Sequence, residues 1–434
     1  MDRKIQTLLI TKTLAVAITA AMASTVQAAS TEQQQIQELR QEVQALKALI
    51  QQQQQVQQQQ QVQIQQVQAQ PAPAAKSASP FSLKSKGGAE VNLYGFVRGD
   101  ANYIVEGADN DFNSVHKTAT VGTSNDVKLA KDKLRATAKT TRLGLDFSSP
   151  VGDRKVGGKI EVDFAGSNDA LRIRHAYLTL DNWLLGQTTS NFLSNHAPEM
   201  IDFGTNVGGG TTRIPQVRYS HKLAPATQLL VSAEEGDSSG EGLTYRLPVL
   251  TAKVTQGFAN GKGAASARAM VENYKSTTAN DDKTGWGVAA GAHYQVTEPL
   301  KISADVSHVV GNSNYLYGSN TAYSLDGRNI EQNEFTAFQV GATYKFAPNL
   351  RSTLGYGAIF ADDGNDYARL NANNVNVNVN VNVNEEVYQA WLNFIYSPVK
   401  PVDLGIEYIN GERETFAGNK FKDNRFGLMA RYNF

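Results

Sequence analysis

The 434-residue chain contains no cysteine, which excludes disulfides, thiolate metal sites and a cysteine nucleophile, and leaves packing and hydrogen bonds to hold the fold. A surplus of one charge is also missing. The 41 Lys and Arg balance 41 Asp and Glu, so no basic excess points to nucleic acid. Histidine is scarce, and His116, His175, His196, His221, His293 and His308 show no paired metal-ligand spacing. Gly261-Lys262-Gly263 lacks the strand-to-helix setting of a phosphate loop. Asp109, Asp111 and Asn113 have calcium-loop spacing, but Ser114 replaces the glycine of position six and Thr120 the glutamate of position twelve. No metal, cofactor or catalytic residue is therefore expected. Nor is there an apolar run of the roughly 20 residues that a spanning helix needs, and mean hydropathy is −0.37. That ordinarily means a soluble protein, yet a β-barrel escapes hydropathy because only every second strand residue faces lipid.

What is present begins with an export signal. Arg3 and Lys4 precede an apolar stretch from Leu14 to Met22 that ends in Val26-Gln27-Ala28, which predicts a secretory signal peptide over 1–28. Removing Asp2, Arg3, Lys4 and Lys12 takes away a net +2 and leaves the mature chain slightly acidic. Residues 30–70 are dominated by Gln, but Ile36, Val43, Ile50 and Ile64 keep one seven-residue spacing and Leu39, Leu46 and Val67 another. This a/d seam predicts a short α-helical coiled-coil stalk, weakened where Gln fills seam positions 53, 57 and 60. Pro71, Pro73 and Pro80 mark a linker over 71–88.

From residue 89 to Phe434 the period becomes two. Phe338, Val340, Ala342, Tyr344 and Phe346 share one face and Gln339, Gly341, Thr343 and Lys345 the other; after Ala347-Pro348-Asn349 the alternation resumes in Leu350, Ser352, Leu354, Tyr356, Ala358 and Phe360. A soluble sandwich could alternate likewise. Three features favour a barrel: the polar faces are rich in Gly, Ser, Thr and Gln rather than Lys and Glu; short turns (148–154, 347–349, 397–402) alternate with long polar connections (105–135, 260–285, 312–332, 361–386); and the chain closes on an alternating strand ending in Phe434. The expected fold is an all-β transmembrane barrel of about 16 antiparallel strands. Leu243 and Ala252 begin separate strands in this count, and 265–275 is left in a loop to preserve up-down parity. About 16 strands enclose an aqueous channel. The Asn-Val repeat at 374–384 has its valines at odd positions, out of register with Tyr388, Ala390 and Leu392, and reads as an extracellular loop.

Arginine facing lipid at mid-bilayer costs roughly 2–4 kcal/mol, so Arg98, Arg142, Arg172, Arg174 and Arg218 are expected to face the lumen and form a basic wall suited to carboxylates and phosphates. The bland alternative pairs them with Glu161 and Asp163. Facing that wall, the Gly-rich loop 189–212 reads as an inward constriction, with Glu199 and Asp202 as an acidic edge.

Leu93-Tyr94-Gly95-Phe96-Val97-Arg98, Thr141-Arg142-Leu143-Gly144-Leu145-Asp146-Phe147 and Leu171-Arg172-Ile173-Arg174-His175-Ala176-Tyr177 carry a specific resemblance. With the 199–204 loop and Arg431-Tyr432-Asn433-Phe434, they make the chain similar to the DcaP-like trimeric outer-membrane porins of Gram-negative bacteria. That resemblance implies a homotrimer, an inward constriction loop, and passive diffusion of small anions such as dicarboxylates. Outer-membrane lipid and lipopolysaccharide would surround the barrel, the stalk would lie in the periplasm, and Phe434 would engage the barrel-insertion machinery. An envelope tether and an outer-membrane barrel enzyme are the competing readings.

Overall fold

The computed structural model describes residues 82–120, 127–202, 206–236, 242–373 and 383–434. The expected signal peptide, the stalk, the linker as far as residue 81 and most of the Asn-Val repeat lie outside the described residues. At 82–84, inside the expected linker, the chain is already paired, antiparallel to Glu90–Asn92.

Sixteen strand positions follow. They are β1 (Glu90–Ala108), β2 in two pieces (Val127–Thr137 and Arg142–Val151), β3 (Arg154–Asp163), β4 (Arg172–Leu180), β5 (Trp183–Thr189) and β6 (Arg213–Ala224). Next come β7 (Thr227–Glu234), β8 in two pieces (Leu243–Tyr245 and Val249–Phe258), β9 (Gly263–Ser276), β10 (Asp281–Gln295) and β11 (Leu300–Val310). The last five are β12 (Glu334–Ala347), β13 (Leu350–Ala361), β14 (Asn384–Val399), β15 (Val402–Thr415) and β16 (Lys420–Asn433). Each pairs antiparallel with its neighbours, and β1 pairs with β2 on one side and β16 on the other, from Phe96 opposite Asn433 to Glu106 opposite Asn424. The sheet is closed. Its last residue joins the seam, Phe434 N–H donating to Gly95 O at 3.0 Å and Gly95 N–H to Phe434 O at 3.1 Å.

The count of sixteen stands through two offsetting corrections. Residues 265–275 are strand, the middle of β9, and Leu243 and Ala252 belong to one strand rather than two. Both pieces of β8 pair with β9, and the break between them falls at 246–248, where Pro248 has no N–H to give the ladder. Parity is thereby kept. The expected long connection at 105–135 is ladder at both its ends, since Val127–Thr137 pairs with the outer half of β1. Near the Asn-Val repeat, the β14–β15 register shifts between Asn384 and Glu386, a bulge where the sequence changed parity.

Outward positions carry the apolar set, with Val340, Phe346, Leu354 and Leu428 each about half exposed; inward neighbours Gln339, Thr343 and Thr353 are buried. The principal core lies inside the barrel. Phe192, Leu193 and Val207 from the segment 190–212, Tyr315 and Leu316 from 311–333, and Val115 from 109–120 pack on the inward residues Val249, Met270, Ala289, Val309, Phe335, Ile359 and Val387. Part of the lumen is thus filled with apolar side chains.

Val340 sits at the centre of β12 and is 48% exposed on the outer wall. Val340→Arg should lower the unfolding free energy in lipid vesicles by roughly 2–4 kcal/mol, while Val340→Ile should stay within about 0.5 kcal/mol. Urea titration followed by tryptophan fluorescence checks both; equal midpoints would place Val340 away from lipid.

Candidate functional site

The segment after β5, described over 190–202 and 206–212, lies inside the barrel before the chain enters β6, and the wall is shaped to receive it. Inward glycines form the bed. A Cβ at Gly341 would lie 2.5 Å from Pro198 Cβ and one at Gly405 2.5 Å from Ile201 Cδ1, while Gly287 and Gly357 face Phe192 and Val207 in the same way. Polar side chains of the wall then capture the segment's backbone. Lys253 Nζ donates to Leu193 O at 2.7 Å, Arg268 Nη1 to Phe192 O at 3.1 Å, and Trp391 Nε1 to Glu199 O at 2.9 Å. Glu407 accepts the N–H groups of Ile201 and Asp202 at 2.8 and 2.7 Å. Two histidines 97 residues apart in sequence also meet here: His196 and His293 share a hydrogen bond of 2.9 Å between their Nδ1 atoms, and His196 Nε2 lies 3.0 Å from Ser266 Oγ.

Between this segment and the wall of β1–β6 lies a polar cavity of about 540 Å³. Six cations line it: Arg98, Lys139, Arg142, Arg172, Arg174 and Arg213, with Asp202 the single acid. Lys139 reaches the cavity from the interruption between the two pieces of β2. A hollow of about 630 Å³ bounded by Tyr294, Ile302, Val340 and Leu354 opens on the outer wall and is no part of this lumen.

The sequence-predicted arginines divide into three roles. Arg172 holds Asp163 through two bonds of 2.9 and 2.7 Å, and Arg174 bridges Glu161 and Asp163 at 2.7 and 2.9 Å. Arg142 lies 3.4 Å from Glu161, with its guanidinium 4.9 Å from the centre of the Phe96 ring. These three both line the cavity and pair with the wall's acids, so the two sequence alternatives hold together. Arg98 is a fastener, gripping Asp100 at 2.6 Å and the Ile201 carbonyl at 2.5 Å. Arg218 stands apart, bonded to Gln216 Oε1 at 2.9 Å and to the Thr189 carbonyl, outside the cavity lining.

The acidic edge is corrected in one half. Glu199 does not face the basic wall; Arg351 of β13, which parity marked as inward, takes it in a two-bond fork of 2.8 Å each. Asp202 does lie in the cavity, where its carboxylate accepts the Asn113 N–H at 2.9 Å.

Arg213 was missed. As the first residue of β6 it follows the returning loop rather than the alternation of Gln216 and Arg218, so period-two parity turns it outward while the structure turns it in. Among the described residues it has no ion pair, and its buried Nε has no hydrogen-bond partner. It is the cavity's unneutralised charge.

The family model described as DcaP outer membrane protein matches residues 15–434. The crystal structure of the outer membrane channel DcaP of Acinetobacter baumannii is 66% identical, with a TM-score of 0.75 over 81% of this chain and 99% of that one. OmpT of Vibrio cholerae (16% identity, TM-score 0.52, 81% of this chain and 99% of that one) and an anion-selective porin from Comamonas acidovorans (13%, 0.52, 80% and 100%) share the fold alone. No curated protein matches. With the family model spanning nearly its whole length and 66% identity to the DcaP channel over the 81% of the chain that matches, the chain belongs to the DcaP outer membrane protein family and is an outer-membrane porin.

Proposed function

We propose that this porin passes small hydrophilic solutes by passive diffusion and prefers anions, dicarboxylates among them, with the cavity of Arg98, Arg142, Arg172, Arg174 and Arg213 as its selective region. Arg213 carries the reading. Arg172 and Arg174 present forked donors but already hold carboxylates, so their charge is largely cancelled, whereas Arg213 has no acid of its own. A passing carboxylate supplies the missing acceptor, and a second carboxylate on the same solute finds the remaining donors of Arg142 or Lys139 across the cavity. The barrel would work as a homotrimer in lipid and lipopolysaccharide, with residues 30–70 as an accessory stalk. Insertion would use the terminal Phe434, and neither catalysis nor a cofactor enters the reading.

Arg213→Gln should weaken anion preference without disturbing the fold, because no carboxylate loses a partner. At about 7 Å in water one charge is worth about 0.6 kcal/mol, close to RT, so the anion-to-cation permeability ratio should fall at least about twofold. Reversal potentials in a salt gradient read this, and an unchanged potential would remove Arg213 from the selective region. Arg174→Ala is a poorer probe because it takes a partner from both Glu161 and Asp163, which are buried.

The docking of the loop generates a pH prediction. Burial, reinforced by His293, Arg268 and Lys253, holds the His196 imidazole down to about 3. A released His196 would titrate near its ordinary 6.5, so protons favour release. Docking is undisturbed above that value and weakens as pH falls from 6.5 towards 3, by about 1.4 kcal/mol per unit. Flicker in single-channel recordings should rise between pH 6.5 and 4.5, and His196→Gln should flatten the rise; an identical profile in the variant would exclude His196 as its source.

Deleting residues 30–70 should leave a trimer opening in three equal steps, since the barrel seam and its outer wall are retained. Native mass measurement in detergent, together with conductance, tests this. Monomers with single-step openings would make the stalk the source of the trimer.

A further inference from the structure

The tip of the crossing segment, at 200–202, is held differently from the rest. Elsewhere the segment is held by single polar bonds, such as the Asn191 N–H on Glu234 and the Val207 N–H on Gln389, and by apolar contacts, but at Ile201 every part of one residue is engaged. Its N–H and that of Asp202 both donate to the Glu407 carboxylate, at 2.8 and 2.7 Å, one to each oxygen. Its carbonyl accepts from Arg98 at 2.5 Å, and Arg98 is fixed by Asp100, which in turn accepts the Thr140 hydroxyl at 2.7 Å. Its side chain is buried against Ile395 and Met429 and occupies the space left by the absent side chain of Gly405.

Glu407 itself is unusual. It is 1% exposed, and among the described residues no Lys or Arg pairs with it; its remaining partner is Asn393 Nδ2, at 3.0 Å. A carboxylate buried without a cation is costly unless hydrogen bonds satisfy it, and here most of them come from the crossing segment. On the same inward face of β15, Gly405 accommodates Ile201 and Gly411 lies beneath Val115 of the first loop, where a Cβ would stand 3.2 Å from the valine side chain. The face Gly405, Glu407, Gly411 is therefore cut to receive loops rather than solute.

From this we infer that Glu407 is the positioning residue that sets the aperture of the pore, holding the tip at 201–202 between β15 and Arg98 so that the cavity beside it stays narrow. The inference rests on the porin reading and adds a role for an acid that touches no solute. It also makes Arg98 a clamp. Glu407→Ala leaves two amide donors without acceptors and frees the tip, whereas Glu407→Gln keeps one carbonyl oxygen for one of them.

The test uses the full chain in planar bilayers, with single-channel conductance and the size of polyethylene glycol that enters the pore as readouts. Glu407→Ala should raise conductance by about twofold and admit larger polymer, and Glu407→Gln should fall between it and the wild type. Gly405→Leu takes the space that Ile201 occupies and drives the tip off β15 towards the lumen without changing any charge, so it should lower conductance and exclude polymer that the wild type admits, which separates aperture from electrostatics. Glu412→Gln, at the outer rim of the same strand, should match the wild type. Folded Glu407→Ala and Gly405→Leu barrels with wild-type conductance and wild-type polymer exclusion would overturn the assignment. Should Glu407→Ala fail to fold, Glu407→Gln decides, with wild-type conductance and polymer exclusion in the folded variant overturning the assignment. A wild-type protein that never conducts would sink the porin reading and this inference with it; a conducting wild type with unchanged variants would sink this inference only.

Discussion

Everything inside this protein follows from a hydrogen-bonding obligation at its outside. A strand in hydrocarbon has no water to satisfy its backbone, so the first strand must find the last. The ladder from Phe96–Asn433 to Glu106–Asn424, finished by the reciprocal Gly95–Phe434 bonds, meets that requirement. Sixteen strands closed in this way enclose more space than wall side chains can fill. Chain must be folded back into the lumen, and the rest of the architecture is the accommodation of that chain.

The accommodation is lopsided. Towards β8–β14 the inward loops meet apolar wall residues and form a dry core around Phe192, Tyr315 and Phe335. Towards β1–β6 they stand off, leaving the polar cavity. Arginine and carboxylate dominate there because the space is wet enough to hydrate them and narrow enough to couple them. Pairing Arg172 and Arg174 with Asp163 and Glu161 cancels charge but fixes the planes of the guanidinium groups, so the one uncancelled group, Arg213, acts within a rigid frame.

Alternation was legible wherever a strand has one greasy and one polar face, as in Phe338 to Phe346 against Gln339 to Lys345. It was overruled in β9, where Ala267, Ala269 and Val271 face outward against the inward Ser266, Arg268 and Glu272: the alternation is present, but splitting β8 into two strands at Leu243 and Ala252 left this segment no place in the up-down order. At the outer end of β12 the pattern inverts, because Phe335 and Ala337 face the internal core while Thr336 is exposed on the outer side. The crossing loop was visible through its glycines and its length, but its acid partners were not. Glu199 is separated from Arg351 by 152 residues, and only the curvature of the barrel brings them together. Local rules also lapse at strand ends, which is why Arg213 escaped while Arg218, in mid-strand, was assigned inward correctly but to a neighbourhood it does not share.

The clamp at the loop tip carries a consequence for assembly. Ile201 lies near the middle of the sequence, but the groups that seat it, Trp391, Asn393, Gly405 and Glu407, all belong to β14 and β15 near its end. The tip has no seat in a sheet that lacks β14 and β15. Narrowing of the pore and closure of the circle therefore draw on the same strands, and neither is complete without the other.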